Sequence, residues 1–124
     1  GKAVAVVAFV LAAFMEGALA EPVLIVTPET KVRLWERVLR MWAPQCSTVC
    51  YTGSAAARSA AREWDWAPGG STVDVLLTTP AVMAMDKEHL RKQTWGGAII
   101  DLRDTVGATW HEGLTLEALE GFAW

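Results

Sequence analysis

The chain has 124 residues, of which 52% are hydrophobic and 20% are charged, and its formal net charge is −3 at pH 7. These values are typical of one globular domain with a moderate core, and they exclude a disordered chain. The acidic balance excludes a domain that binds nucleic acid through an overall positive charge. A local basic patch is compatible with it, because Arg33, Arg37 and Arg40 lie close together.

The first twenty residues support two hypotheses. Lys2, the apolar run 3–15 and the tripeptide Ala18–Ala20 are typical of a secretory signal peptide with its cleavage site. The run is too short for a membrane span, which takes about 20 apolar residues. The competing hypothesis is a buried helix from Lys2 to Glu16 that ends at Gly17. The pattern farther along the chain favours the helix.

A strand and an amphipathic helix follow. The apolar run Val23–Val26 predicts a buried strand. Apolar side chains then recur at helical spacing and predict one buried helix face with two tryptophan anchors: Val32, Trp35, Leu39 and Trp42. Glu29 or Thr30 can begin this helix, because a side-chain oxygen satisfies free N–H groups of the first turn. Pro44 is expected to end it.

Strands and helices alternate along the rest of the chain. Further strands are predicted at 47–51, 73–78 and 98–101. Further helices are predicted at 55–64, capped by Ser54 with Arg58 and Arg62 facing outward, at 80–91 after Thr79, and at 109–123. Nearly continuous apolar strands between helices indicate an α/β fold whose parallel sheet is covered on both faces.

The two cysteines are predicted to be reduced. On one strand, Cys46 and Cys50 would lie about 13 Å apart, at ~3.3 Å per residue, which is too far for a disulfide. No histidine lies at ligand spacing from them, so a zinc site is not predicted.

Ligands of such folds bind at the carboxyl ends of the parallel strands. The residues predicted at that edge are Thr27, Pro28, Thr52, Gly53, Thr78, Thr79 and Asp101, with Gly1 and Lys2 beside them if a strand precedes the chain.

Four pieces of the sequence carry a family resemblance through their order and spacing. They are Gly1–Val6, the segment Leu24–Pro28 with Trp35–Arg37 and Met41–Pro44 behind it, Asp74–Thr79, and Trp95 with Ile99–Asp101. Together they resemble the first RecA-like lobe of Swi/Snf-type chromatin-remodelling ATPases, and the chromodomain-helicase group most closely. The resemblance implies one three-layer α/β lobe over residues 1–124, incomplete at both ends, with an open sheet edge beside the strand that ends at Asp101.

The resemblance also implies ATP and Mg²⁺ as the cofactors of such a lobe. Gly1, Lys2 and Ala3 match the end of the nucleotide-binding loop, and Asp101 matches a metal-associated position. Ala3 lacks the hydroxyl that would hold Mg²⁺, and Leu102 stands where the family has the carboxylate that activates water. We therefore expect no catalytic residue and negligible hydrolysis.

Other matching positions concern DNA. The family contacts DNA phosphates at the positions of Pro28, Thr30, Lys31, Thr78 and Thr79. Ordinary turn and capping chemistry is the alternative explanation of these residues. The partners implied are the DNA backbone or a nucleosome, and a second ATPase lobe or another protein covering the sheet edge, in the nucleus and without a membrane.

Three functions follow as hypotheses. The first is a degenerate lobe of a DNA-dependent ATPase that acts in chromatin as a scaffold or weak DNA-backbone binder. The second is an excerpt of an active ATP-dependent DNA translocase. The third is a small secreted α/β domain whose residues 1–20 are a signal peptide.

Overall fold

Five strands form one sheet in the computed structural model, which describes residues 5–10, 21–66, 73–102 and 105–119. The strands are β1 (Val23–Val26), β2 (Thr48–Cys50), β3 (Val75–Thr78), β4 (Trp95–Leu102) and β5 (Thr105–Leu114). Their order is β2-β3-β1-β4-β5. The first four strands run parallel and β5 runs antiparallel to β4. This arrangement confirms the predicted α/β fold.

Short helices connect the strands. They are α1 (5–10), α2 (Val32–Trp42), α3 (Ala55–Ala60), α4 (Pro80–Met85), α5 (Lys87–Leu90) and α6 (Leu116–Leu119). A 3-10 turn, Glu29–Lys31, precedes α2, and a turn of π-helix, Ala61–Asp65, extends α3. The predicted N-cap Ser54 is confirmed, because its hydroxyl accepts a hydrogen bond from a first-turn N–H group of α3. The Thr79 hydroxyl caps α4 in the same way.

The sheet separates two apolar cores. Along β1, Leu24 and Val26 face one core, while Val23 and Ile25 face the other. The first core also receives apolar side chains of α4, α5 and α6. The second is covered by α2 and α1, since Val7 and Val10 are fully buried in it. Strands buried on both faces explain the continuous apolar runs in the sequence.

The packing of α1 bears on the two hypotheses for the first twenty residues. A segment whose valines complete a core behaves as a helix of the domain, which favours the buried-helix hypothesis. Lys2, Gly17 and the tripeptide Ala18–Ala20 lie outside the described residues. Within the ranges that the structure describes, no helix is both long and apolar enough to span a bilayer.

The helix predicted at 109–123 is wrong for residues 109–114. Residues 105–114 form β5, which pairs with β4 through Asp101↔Val106, Ile99↔Ala108 and Trp95↔Leu114. Only Leu116–Leu119 is helical in the described part of this segment. The β-branched residues that begin β5 favour a strand, and pairing with β4 decides the outcome. The open edge predicted beside Asp101 is also wrong, because β5 covers it.

Two details of α2 differ from the prediction. Its buried face continues from Leu39 to Ala43, four residues later, and Trp42 is 48% exposed. Trp42 is therefore not a core anchor, whereas Trp35 is fully buried. Neither Glu29 nor Thr30 caps the helix, because the 3-10 turn after Pro28 leads directly into it without a side-chain cap. The helix ends before Pro44, as predicted.

The predicted outward position of Arg58 and Arg62 is also wrong. Arg58 is buried, and its Nε lies 2.8 Å from Asp86 Oδ2. The Arg62 side chain is 22% exposed and contacts the same carboxylate oxygen at 3.4 Å. The prediction failed because a distant aspartate, Asp86, supplies the counter-charge that allows these arginines to be partly or fully buried.

Candidate functional site at the carboxyl edge of the sheet

The parallel strands end at a common edge. The last residue of β1, Val26, is in register with Thr78 of β3 and Ile100 of β4. The next residues, Thr27, Thr79 and Asp101, therefore come to the same edge. Their proximity was predicted from the alternation of strands and helices, because parallel neighbours must end on the same side.

Asp101 is the centre of this edge. It is 4% exposed, and its Oδ2 accepts hydrogen bonds from Trp35 Nε1 at 2.7 Å and from Thr27 Oγ1 at 3.3 Å. Its Oδ1 lies 3.5 Å from Lys31 Nζ. A buried carboxylate is stable only when hydrogen bonds and an opposite charge replace its lost water, and these three groups do so.

Local structure places each of the three donors. Thr27 directly follows β1, and its N–H donates to Thr78 O, which holds it against β3. Lys31 ends the 3-10 turn, so its side chain begins close to the strand ends. Trp35 lies one helical turn farther along, on the buried face of α2. The Trp35–Asp101 hydrogen bond was not predicted. The signal that could have suggested it is Trp35 itself, because a buried indole N–H usually needs an acceptor.

The donors around Asp101 do not suit a divalent metal ion. Mg²⁺ takes oxygen ligands at about 2.0–2.1 Å in octahedral geometry, whereas both oxygens of Asp101 already face N–H, O–H or ammonium donors. Among the residues that the structure describes, no group of three acidic, histidine or cysteine side chains could hold a metal. The nucleotide-binding positions Gly1, Lys2 and Ala3 lie outside the described residues.

The five positions predicted to contact DNA fall into two groups. Thr78 and Thr79 are buried, and their hydroxyls already have partners: Thr78 donates to Tyr51 O at 2.8 Å, and Thr79 caps α4. Pro28, Thr30 and Lys31 belong to the turn before α2, where Thr30 is exposed and the Lys31 side chain is 35% exposed. A phosphate could therefore approach the turn more easily than the two threonine hydroxyls.

A cleft beside this edge was not predicted. It has a volume of about 320 Å³ and is lined by Glu29, Val32, Arg33, Glu36, Cys50 and Thr52. In its wall the Cys50 thiol donates to Glu36 Oε2 at 3.2 Å. Burial, followed by this hydrogen bond and the Glu36 charge, raises the pKa of Cys50 to about 12. Positions 29, 32, 33 and 36 share a helical face, but only the fold shows that β2 lies against it.

Comparison with known proteins decides the family. A family model described as the SNF2-related domain matches residues 1–112. The chain belongs to the SNF2-related domain family. The five-stranded, mostly parallel sheet with flanking helices agrees with a RecA-like lobe of an SNF2 domain.

Curated relatives of this SNF2-related chain are named as chromatin-remodelling or chromodomain-helicase proteins. It is 32% identical to Protein CHROMATIN REMODELING 4 and 36% identical to CHD3-type chromatin-remodeling factor CHR7, both from Arabidopsis thaliana. It is 30% identical to Chromodomain-helicase-DNA-binding protein 1 from Gallus gallus. Each match covers 82% of this chain but only 5%, 8% and 6% of the respective relatives. The resemblance carried by the Trp35–Pro44 segment and its companions is thereby confirmed.

Proposed function

We propose that this SNF2-type lobe does not hydrolyse ATP and acts in chromatin, in the nucleus, as a scaffold or weak DNA-backbone binder. The observation that carries the proposal is the set of contacts that the Asp101 carboxylate makes. Its carboxylate is buried and accepts from Trp35 and Thr27 while it pairs with Lys31. A carboxylate that supports the fold in this way is poorly placed to support a metal ion during phosphoryl transfer.

Two neighbouring positions add to this argument. Leu102, the last residue of β4, follows Asp101 where a carboxylate that activates water would stand. Ala3 follows Lys2 and offers no hydroxyl to a metal ion. General-base assistance alone contributes ~10²–10⁴ in rate, so loss of the carboxylate would already make hydrolysis very slow. Loss of the hydroxyl removes a separate interaction with the cofactor.

The proposed DNA contact is limited to the phosphate backbone. Pro28 and Thr30 lie on the turn before α2, and α2 adds the exposed arginines Arg33, Arg37 and Arg40. N–H groups, hydroxyls and cations of this kind contact phosphates without sequence preference. With a net charge of −3 the binding is expected to be weak, and its affinity should fall steeply with salt concentration. A second lobe or another chromatin protein is the proposed protein partner.

The test measures ATP turnover by the intact protein in the presence of Mg²⁺, with and without duplex DNA. Turnover at the buffer background is expected under both conditions, because neither a general base nor a metal-binding hydroxyl accompanies Asp101. Binding of the same preparation to duplex DNA, followed as a function of salt, tests the second half of the proposal.

Two variants identify the source of any turnover. Lys2→Ala and Asp101→Asn should leave the background rate unchanged if it comes from a contaminant. Turnover that DNA stimulates and that either substitution abolishes would overturn the proposal and favour an excerpt of an active translocase.

A further inference from the structure

Lys31 is a partly exposed lysine that contacts the buried carboxylate of Asp101. Asp101 Oδ2 accepts hydrogen bonds from two buried groups, Trp35 Nε1 and Thr27 Oγ1. The other oxygen, Oδ1, faces Lys31 Nζ at 3.5 Å, and the Lys31 side chain is 35% exposed while that of Asp101 is 6% exposed. Among the described residues, the Lys31 ammonium is therefore the partly exposed cation that contacts this carboxylate.

We infer that the Lys31 ammonium replaces a divalent metal ion as the cation that neutralises Asp101, so that Asp101 binds no metal while Lys31 is present. This inference rests on the proposed function, since it explains why the carboxylate persists in a lobe that does not hydrolyse ATP. Removal of the aspartate would leave the indole N–H of Trp35 buried without its acceptor, which is costly.

Charge and geometry both support the replacement. A metal ion bound to Oδ1 would lie beside Lys31 Nζ, and two cations at such a distance repel each other strongly where little water separates them. Mg²⁺ also requires several oxygen ligands around it. Residues Leu102 and Ala3 supply none through their side chains, and the hydroxyl of Thr27 already donates to Oδ2. A lysine needs only the carboxylate, because its ammonium group carries its own donors.

The experiment measures Mn²⁺ binding to the intact protein by electron paramagnetic resonance, with Mn²⁺ alone as the probe. Wild type and Asp101→Asn should bind Mn²⁺ equally, because Asp101 contributes nothing while Lys31 neutralises it. In the Lys31→Met background the carboxylate becomes available. Lys31→Met should therefore bind Mn²⁺ at least about tenfold more tightly than the double variant Lys31→Met/Asp101→Asn.

Two further variants control for charge and folding. Lys31→Arg keeps a cation at the site and should behave as wild type, even if Lys31→Met folds poorly. Lys92→Met removes an exposed lysine after α5, near the amino ends of the strands, and should leave Mn²⁺ binding unchanged. Circular dichroism shows which variants keep the fold.

Two results would overturn the inference. One is weaker Mn²⁺ binding by Asp101→Asn than by wild type, because Asp101 would then bind metal despite Lys31. The other is equal binding by Lys31→Met and its double variant, because Lys31 would then not be what excludes the metal. Neither result depends on ATP turnover, so failure of this inference and failure of the proposed function are distinguishable.

Discussion

At the scale of single residues, the environment of Cys50 alters its chemistry. The thiol is half-buried beside α2 and donates to Glu36. Burial is the largest cause that raises its pKa to about 12, and Glu36 acts in the same direction against the weaker opposing charges of Arg40 and Arg33. Burial also raises the pKa of Cys46, with a smaller effect of the Asp74 charge. Both cysteines are free, as predicted.

This environment predicts slow alkylation of Cys50. The thiolate is the reactive form, and an unperturbed thiol has a pKa of about 8.5, so at pH 8 Cys50 should react with iodoacetamide at least about 10²-fold more slowly than a free thiol. Glu36→Gln should increase the rate, because it removes the negative charge that opposes thiolate formation. Peptide-resolved mass spectrometry measures the rates for both cysteines. As a control, Glu63→Gln on the exposed surface after α3 should leave the alkylation rate of Cys50 unchanged. Alkylation of wild-type Cys50 as fast as that of a free thiol would contradict the prediction.

At the scale of elements, one carboxylate connects the end of β2 with α3 and with the junction of α4 and α5. Asp86 Oδ2 accepts from Tyr51 OH at 2.5 Å and from Arg58 Nε at 2.8 Å. Arg62 donates to the same hydroxyl of Tyr51. Burial acts to raise the pKa of Asp86, but the hydrogen bonds from Tyr51 and Arg58 and the charges of Arg58 and Arg62 outweigh it, so the pKa is lowered.

The lowered pKa predicts how stability depends on pH. The ionised Asp86 stabilises the fold fully above the unfolded pKa of about 3.9, and this contribution is lost as the pH falls through the lower folded value. At pH 7, Asp86→Asn should lower the free energy of unfolding by about 1.5–3 kcal/mol, as for hydrogen bonds to charged groups. The difference from wild type should shrink below about pH 4. Urea unfolding at several pH values measures it.

The matched control for Asp86 is Glu88, an exposed carboxylate two residues away. It pairs with Arg91 at 2.8 Å, but its side chain is 81% exposed. Glu88→Gln should change the free energy of unfolding by less than about 0.5 kcal/mol at any pH, because exposed ion pairs contribute little. If the free energies of unfolding of wild type and Asp86→Asn changed with pH in the same way, the Asp86 carboxylate would not be the cause of the pH dependence.

At the scale of the whole molecule, the central strands β1 and β3 are buried on both faces of the sheet. Leu24 and Ile25 are consecutive residues of the central strand β1, both fully buried, and they belong to opposite cores. Leu24 packs among side chains of the first core with Trp66 and Trp95, which lie with their ring centroids 6.1 Å apart. Ile25 packs among those of the second core with Trp35.

This arrangement predicts that substitutions at two neighbouring positions of β1 destabilise the fold to a similar extent. Leu24→Ala and Ile25→Ala should each lower the free energy of unfolding by about 2–5 kcal/mol, because each leaves a cavity in a packed core. Leu34→Ala, at an exposed helix position, should change it by less than about 0.5 kcal/mol. Urea unfolding of the intact protein measures all three. A small effect of only one of the two core substitutions would show that one face of the sheet is not covered.

The sequence by itself determined the features that depend on nearby residues. The strand Val23–Val26 and the N-cap Ser54 were predicted correctly because strand burial and capping depend on a few adjacent side chains. The alternation of strands and helices also predicted that Thr27 and Asp101 lie at the same edge of the sheet.

Only the tertiary structure decided which distant groups meet. Trp35 and Asp101 are 66 residues apart, and Arg58 and Asp86 are 28 apart, so no local pattern pairs them. The segment 105–114 became a strand because β4 offered unpaired backbone groups, although its apolar spacing also suited a helix. Periodicity in the sequence shows which side of a helix or strand is apolar. The packing of the whole chain determines which group pairs with a buried charge and which strand pairs with a free strand edge.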